Sequence, residues 1–290
     1  MRARCSAPAL ACALGVAAAV TAGAQPPVAR GAAAADTAGR VYRAPDGVRV
    51  HYTDAGAGPA VVLLHGFLND AASWRRTPLY EALLGAGFRV VAVDLRGNGG
   101  SDHPTTLAAY ARDAEARDVA GVAGALGLTR YAVVGYSRGA IIASRVLVRD
   151  PRVRAAVLGG MGADFTNPAW PRRRAVYRLL AGLPVAPDTA AQFAGMLRYA
   201  DAQGLDRRVL ALQQQAQPST APAELARVRR PVLVIAGDAD REDGSAPALA
   251  RLIPGAALAT VPGDHGAALR STAFADSVLA FLRRAPGAAP

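Results

Sequence analysis

Residues 133–140 read VVGYSRGA. An apolar, β-like run (YAVV, 131–134) leads into a lone serine, Ser137, placed between Gly135 and Gly139. A serine held at a tight strand-to-helix turn projects its hydroxyl clear of the sheet. The residues two before and two after it then come so close to the turn that a β-carbon would clash, and glycine removes that carbon. Ala140 keeps the next position small, and a helix starting at Arg138 aims its positive end at the serine's surroundings.

Working outward, similar apolar runs recur: AVVLLHG (60–66), FRVVAVDLRG (88–97), RAAVLGG (154–160), PVLVIAGD (231–238) and ALATVPG (257–263). Strands buried on both faces read this way and belong to parallel sheets. VYRAPDGVRVHYTDAG forms two short strands across the Asp46-Gly47 turn. Helical stretches are expected at Ser73–Ala86, Thr105–Leu126, Arg138–Arg149, Ala246–Leu252 and Ala267–Arg284. The alternation predicts an α/β fold with a doubly wound, mostly parallel sheet. It breaks once: residues 162–226 hold helical tendencies and no strand-like run, and are read as an inserted helical cap. The domain is expected over 40–290.

In a parallel sheet every strand delivers its C-terminal end to one edge, so residues just past those ends meet in space. His65, Gly66 and Phe67 follow one run, Asp94 and Arg96 the next, then Ser137, then Asp238 and Asp240, then His265. A serine, two candidate acids and a histidine converge, in the chain order Ser, Asp, His.

With these residues in view, the sequence resembles the α/β-hydrolase fold family. LLHGF (63–67) is similar to its oxyanion loop, DLRGNGGSD (94–102) to its Asp-x-Arg-Gly-x-Gly-x-Ser loop, and GYSRG to its nucleophile elbow. GDAD (237–240) is similar to its acid turn and GDHGAAL (263–269) to its histidine loop. The resemblance covers roughly 45–284. It implies a Ser137 nucleophile, a His265 base, and an oxyanion hole from the backbone N–H groups of Phe67 and Arg138. The family's Gly-x-x-Asp spacing selects Asp240 over its neighbour Asp238 as the acid that orients His265, with Asp164 a distant third. Two departures stand out. Gly100 replaces a bulkier residue, which would loosen its loop. Arg138 is a cation after the nucleophile, either at the pocket edge, favouring anionic substrates, or pointing away.

The remaining residues receive plainer readings. Asp94 and Arg96 brace loops, His65 orients the oxyanion loop, and His51 and His103 are surface residues. Trp74, Phe165, Trp170 and Tyr177 pack the cap or line the pocket.

The expected reaction is acyl transfer from a carboxylic ester, or a lactone, thioester or amide, to Ser137, followed by hydrolysis. The alternatives are carbon–carbon bond hydrolysis or cofactor-free perhydrolysis on the same fold, and a non-catalytic protein that binds a small ligand. Family branches that open epoxides or remove halides usually carry Asp at the elbow, and Ser137 argues against them.

The formal net charge is +11, all the positive charge being arginine, since the chain holds no lysine. The arginines are scattered and no nucleic-acid motif accompanies them, so they read as a solvated surface, and no nucleic-acid partner is expected. The expected partner is a small-molecule acyl substrate. Without lysine a Walker-type phosphate loop cannot be built, and the four histidines are dispersed. No cofactor and no metal are expected. Residues 1–24 open with Arg2 and Arg4, continue through an apolar stretch too short to span a bilayer comfortably, and end in Ala22 and Ala24. This reads as a secretory signal peptide, followed by a flexible lead over 25–39, and predicts a secreted or periplasmic protein without stable membrane insertion. Cys5 and Cys12 both lie in that segment, so no disulfide is expected in the mature chain.

Overall fold

The computed structural model describes residues 39–286. The signal peptide, nearly all of the lead and both cysteines lie outside the described residues.

Eight strands form one sheet: β1 (Arg40–Arg43), β2 (Arg49–Ala55), β3 (Ala60–Leu64), β4 (Arg89–Val93), β5 (Tyr131–Tyr136), β6 (Val153–Gly159), β7 (Val232–Gly237) and β8 (Ala257–Val261). Their order is β1-β2-β4-β3-β5-β6-β7-β8. β1 and β2 are antiparallel to each other, and β2 is antiparallel to β4. Every later pairing is parallel, with Leu64 beside Gly135 and Gly135 beside Leu158. The helices are α1 (Pro78–Gly85), α2 (Ala114–Ala125), α3 (Arg138–Arg149), α4 (Pro171–Leu180), α5 (Pro187–Ala202), α6 (Arg207–Ala216), α7 (Pro222–Leu225), α8 (Ala246–Arg251), α9 (His265–Leu269) and α10 (Thr272–Arg284).

β3, β5 and β6 are buried at every residue. Their unbroken apolar runs still alternate in space. Val62 and Leu64 of β3 face a core with α2, α3 and α8, while Val61 and Leu63 face a second core with α1 and α10. Each fully buried Val or Leu contributes about 1.5–3 kcal/mol, so these strands are held by what they bury on both faces. β8 departs from the expectation of another buried strand. It is the sheet edge, and only Val261 is buried.

Helix boundaries also differ from the sequence reading. The stretch 73–86 splits into a 3-10 turn (Ala71–Arg76) and α1, because Pro78 cannot donate its nitrogen and instead starts a new helix. The expected helix from Thr105 starts only at Ala114, after Arg112 and Asp113 take positive φ. The last expected helix divides into α9 and α10, each capped by its own side chain, Asp264 and Ser271.

Between β6 and β7 lie a 3-10 turn and α4 to α7, with no strand. α4, α5 and α6 form a small apolar cluster of their own around Val176, Leu180, Phe193 and Leu210, against which Phe67 and Leu68 pack. The segment is thus a helical cap seated on the loop after β3. Gln213 of α6 is fully buried and donates to Asn98 Oδ1 (2.6 Å) and the Arg96 carbonyl (3.0 Å), joining the cap to the loop after β4.

Candidate active site

Ser137 sits between β5 and α3 with φ 54° and ψ −123°, one of four non-glycine residues with positive φ among those described. Its N–H donates to the Gly159 carbonyl (2.8 Å), which ties the turn to β6. A β-carbon on Gly135 would overlap the Gly139 carbonyl, and one on Gly139 would overlap the Leu64 carbonyl. Both glycines are therefore required by backbone approaching backbone. A β-carbon on Gly66 would lie 3.4 Å from Ser137 Cβ, so the loop after β3 passes directly beside the serine.

His265 begins α9, and its Nδ1 lies 2.8 Å from Asp240 Oδ2. Tyr136, the residue before the serine, donates its hydroxyl to the His265 carbonyl (2.6 Å), and its ring lies 5.2 Å from the imidazole. Burial disfavours the imidazolium of His265. The Asp240 hydrogen bond and the fields of Asp243, Asp240 and Glu242 outweigh it, and the pKa is raised above the ordinary histidine value. Asp240 is itself lowered: burial opposes its charge, but the bonds from His265 and the Glu242 N–H prevail. Asp238, the other candidate acid, instead accepts from Gly263 N–H (2.9 Å) and braces the histidine loop. Asp164 lies against Gly244.

Ser137 and His265 line one cavity of about 710 Å³ together with Phe67, Trp74 and, from the cap, Phe193 and Met196. The structure thus brings Ser137, Asp240 and His265 to one place. Ser137 Oγ makes no hydrogen bond among the described residues, and nucleophile and base share the cavity without being locked together. The backbone N–H groups of Phe67 and Arg138 likewise have no acceptor among the described residues. Arg138 N–H is the first of α3, where helix geometry leaves the donor free.

The Arg138 side chain settles between its two readings. It is buried and donates through Nη1 and Nη2 to Glu115 Oε1 and Oε2 (2.9 and 2.6 Å), so it points away from the cavity into the protein. His65 is buried and neutral. Leu95 N–H donates to its Nε2 (3.1 Å), so Nδ1 carries the proton and donates to the Gly66 carbonyl (2.9 Å). Burial lowers its pKa, which suits this fixed tautomer next to the loop that holds Phe67.

His51 is not a plain surface residue. Its Nδ1 lies 2.7 Å from Asp94 Oδ2, and a β-carbon on Gly100 would sit 2.9 Å from its ring. Gly100 is small because His51 packs there. Its N–H is held by Asp94 (2.9 Å), so the loop is tied, not loosened. Arg96 is buried against Asp118 and Asp46. His103 is exposed. Phe165 and Trp170 pack in the main core, Tyr177 against the cap cluster, and Trp74 both packs and lines the cavity.

Sequence reasoning missed Asp243 and Arg172. Asp243 is buried, and its Oδ2 lies 4.0 Å from His265 Nε2. Burial raises its pKa to about 6, against the pull of Arg172 and His265. Arg172, from α4, pairs with Glu242 (2.9 Å) and Asp243 (3.1 Å) and lies over the Phe193 ring, 4.9 Å from its centroid. The signal available was the run of acids in DADRED (238–243), whose third and fourth members have no obvious local partner. Glu242, Asp243 and His265 bring potential metal-ligand atoms within 4.8 Å of one another. The Arg172 guanidinium already engages both carboxylates, and a cation would have to displace it.

Sequence and structure comparisons agree with this architecture. The alpha/beta hydrolase family profile matches residues 61–277, and the chain belongs to that family. Among curated relatives, epoxide hydrolase 3 of Siraitia grosvenorii is 38% identical over 127 residues, 43% of this chain and 40% of that protein. Epoxide hydrolase A of Mycobacterium tuberculosis is 36% identical over 130 residues, 44% of this chain and 38% of that protein. The match therefore spans about two fifths of the length of these relatives. Among solved structures, a hydrolase from Pseudomonas aeruginosa superposes with a TM-score of 0.67 at 28% identity, covering 85% of this chain and 98% of that one. An esterase from Exiguobacterium antarcticum superposes with a TM-score of 0.70 at 22% identity, covering 84% and 98%.

Proposed function

We propose that the protein is a serine hydrolase that cleaves a carboxylic ester through a Ser137 acyl-enzyme. One observation carries the reading: a strained, unbonded serine hydroxyl shares a cavity with a histidine whose Nδ1 is held by a buried carboxylate. Serine is a weak nucleophile and needs a base. His265 takes the Oγ proton at Nε2 as Oγ attacks the carbonyl carbon. Asp240 fixes the tautomer that leaves Nε2 bare and stabilises the imidazolium. The oxyanion is received by the free N–H groups of Phe67 and Arg138, each such donor being worth about 3 kcal/mol of barrier. His265 then returns the proton to the departing alkoxide, and water repeats the sequence to release the acid. The Oγ–Nε2 contact closes as substrate binds.

The same chemistry argues against transferring the relatives' epoxide-opening activity. Attack on an epoxide carbon by a serine would leave an ether, which has no carbonyl for water to attack. A carboxylate nucleophile leaves a hydrolysable ester. Ser137 therefore suits an sp² acyl carbon.

A fluorophosphonate probe should add its mass to Ser137, and p-nitrophenyl esters should be turned over. Ser137→Ala should lose both. Ester turnover that persists in that variant would place the chemistry elsewhere.

A further inference from the structure

Several described arginines are paired with acids: Arg138 with Glu115, Arg96 with Asp118 and Asp46, Arg145 with Asp113 and Glu224, and Arg172 with Glu242 and Asp243. Arg76 and Arg270 line the cavity that holds Ser137, are exposed, and make no ion pair or side-chain hydrogen bond with any described residue. Arg76 ends the 3-10 turn that follows the Phe67 loop, and Arg270 directly follows α9, which carries His265. The one acid among the lining residues, Glu242, is already engaged by Arg172. The rest of the lining is mixed, apolar at Phe67, Leu68, Met196 and Leu269 and polar at Asn69, Ser73, Thr77 and Gln192.

We infer that the cavity takes an ester bearing a second, ionised carboxylate, whose charge is received by Arg76 and Arg270 while its acyl carbon lies at Ser137. The inference rests on the acyl-transfer reading above and names its substrate class. A guanidinium presents paired donors that match a carboxylate's two oxygens. The chain's excess positive charge adds attraction over distance. Arg138, the cation nearest the serine in sequence, plays no part, because Glu115 neutralises it in the interior.

The test compares esters of equal length, p-nitrophenyl valerate and mono-p-nitrophenyl glutarate, and follows the ratio of their kcat/KM values. The wild type should favour the glutarate ester. The preference should fall by roughly three- to tenfold in Arg76→Gln and in Arg270→Gln, carried by KM, and should shrink in 0.5 M salt. Arg251→Gln, at the exposed end of α8 and outside the cavity lining, should leave the ratio in place. Glutarate itself should bind the wild type in calorimetry and lose affinity in the double variant. A wild type that hydrolyses the valerate ester equally well or better, with glutarate binding unaffected by the double variant, overturns the inference and leaves acyl transfer standing. Absence of turnover of either ester, with glutarate still binding through the two arginines, overturns acyl transfer and leaves the carboxylate site standing.

Discussion

Ser137 occupies a backbone conformation that costs a residue with a β-carbon about 1–3 kcal/mol, and the surrounding structure holds it there. The tether to Gly159 and the close approach of Gly135 and Gly139 to neighbouring carbonyls leave the turn no relaxed alternative. The histidine is controlled by charge. Its pKa is raised, so the neutral form that serves as base is lost earlier as pH falls. The acid limb of kcat/KM should therefore lie above the unperturbed histidine value of about 6.5. Asp243→Asn removes one of the anions that raise it and should move that limb to lower pH. An unmoved limb in this variant would mean that Asp243 does not act on His265. Much at this scale was legible. The Gly-Tyr-Ser-Arg-Gly stretch fixes where a strained serine can sit, and the two acids of the Asp240 turn could be named. The direction of the Arg138 side chain could not, because Glu115 meets it only through the packing of α2 on α3.

At the scale of elements, α3 runs from the serine through the centre of the molecule and is buried from Arg138 to Leu147. A helix hydrophobic all round fits such a place, but α3 also brings Arg138 and Arg145 inside, and each needs an acid. Glu115 on α2 supplies one and Asp113, just before α2, the other. Glu115→Gln strands the Arg138 charge in the interior. It should destabilise the fold by about 3–5 kcal/mol, read from urea unfolding. A loss below about 1 kcal/mol would show that the pair is not needed to hold α2 on α3. The element boundaries that the sequence reading merged, at Pro78 and at Ser271, were set by local backbone chemistry. Those signals were present in the sequence but weaker than the hydrophobic periodicity running across them.

For the whole molecule, the decisive contact is between the cap and the edge of the sheet. Gln213 joins α6 to the loop after β4, and Arg172 joins α4 to the acid loop that carries Asp240, Glu242 and Asp243. The second link also supplies the partner of a buried carboxylate. Arg172→Ala should lower stability by about 2 kcal/mol, discounted because the guanidinium is partly exposed and its Glu242 partner is half in solvent. Calorimetric unfolding would measure it, and an unchanged midpoint would mean that the cap is held by its apolar contacts alone.

The sequence by itself determined the strands of the sheet, the elbow, and the convergence of Ser137, His265 and two candidate acids, Asp238 and Asp240, on one edge. These follow from strand-length apolar runs, from glycines whose missing β-carbons admit neighbouring carbonyls, and from the rule that parallel strands end together. Only the tertiary structure decided what the long arginine and acidic side chains do. Their positions are local, but their partners lie tens of residues away, as Arg172 with Asp243 and Arg138 with Glu115 show. A flexible charged side chain takes its role from whichever opposite charge and cavity wall the packed fold places within its reach.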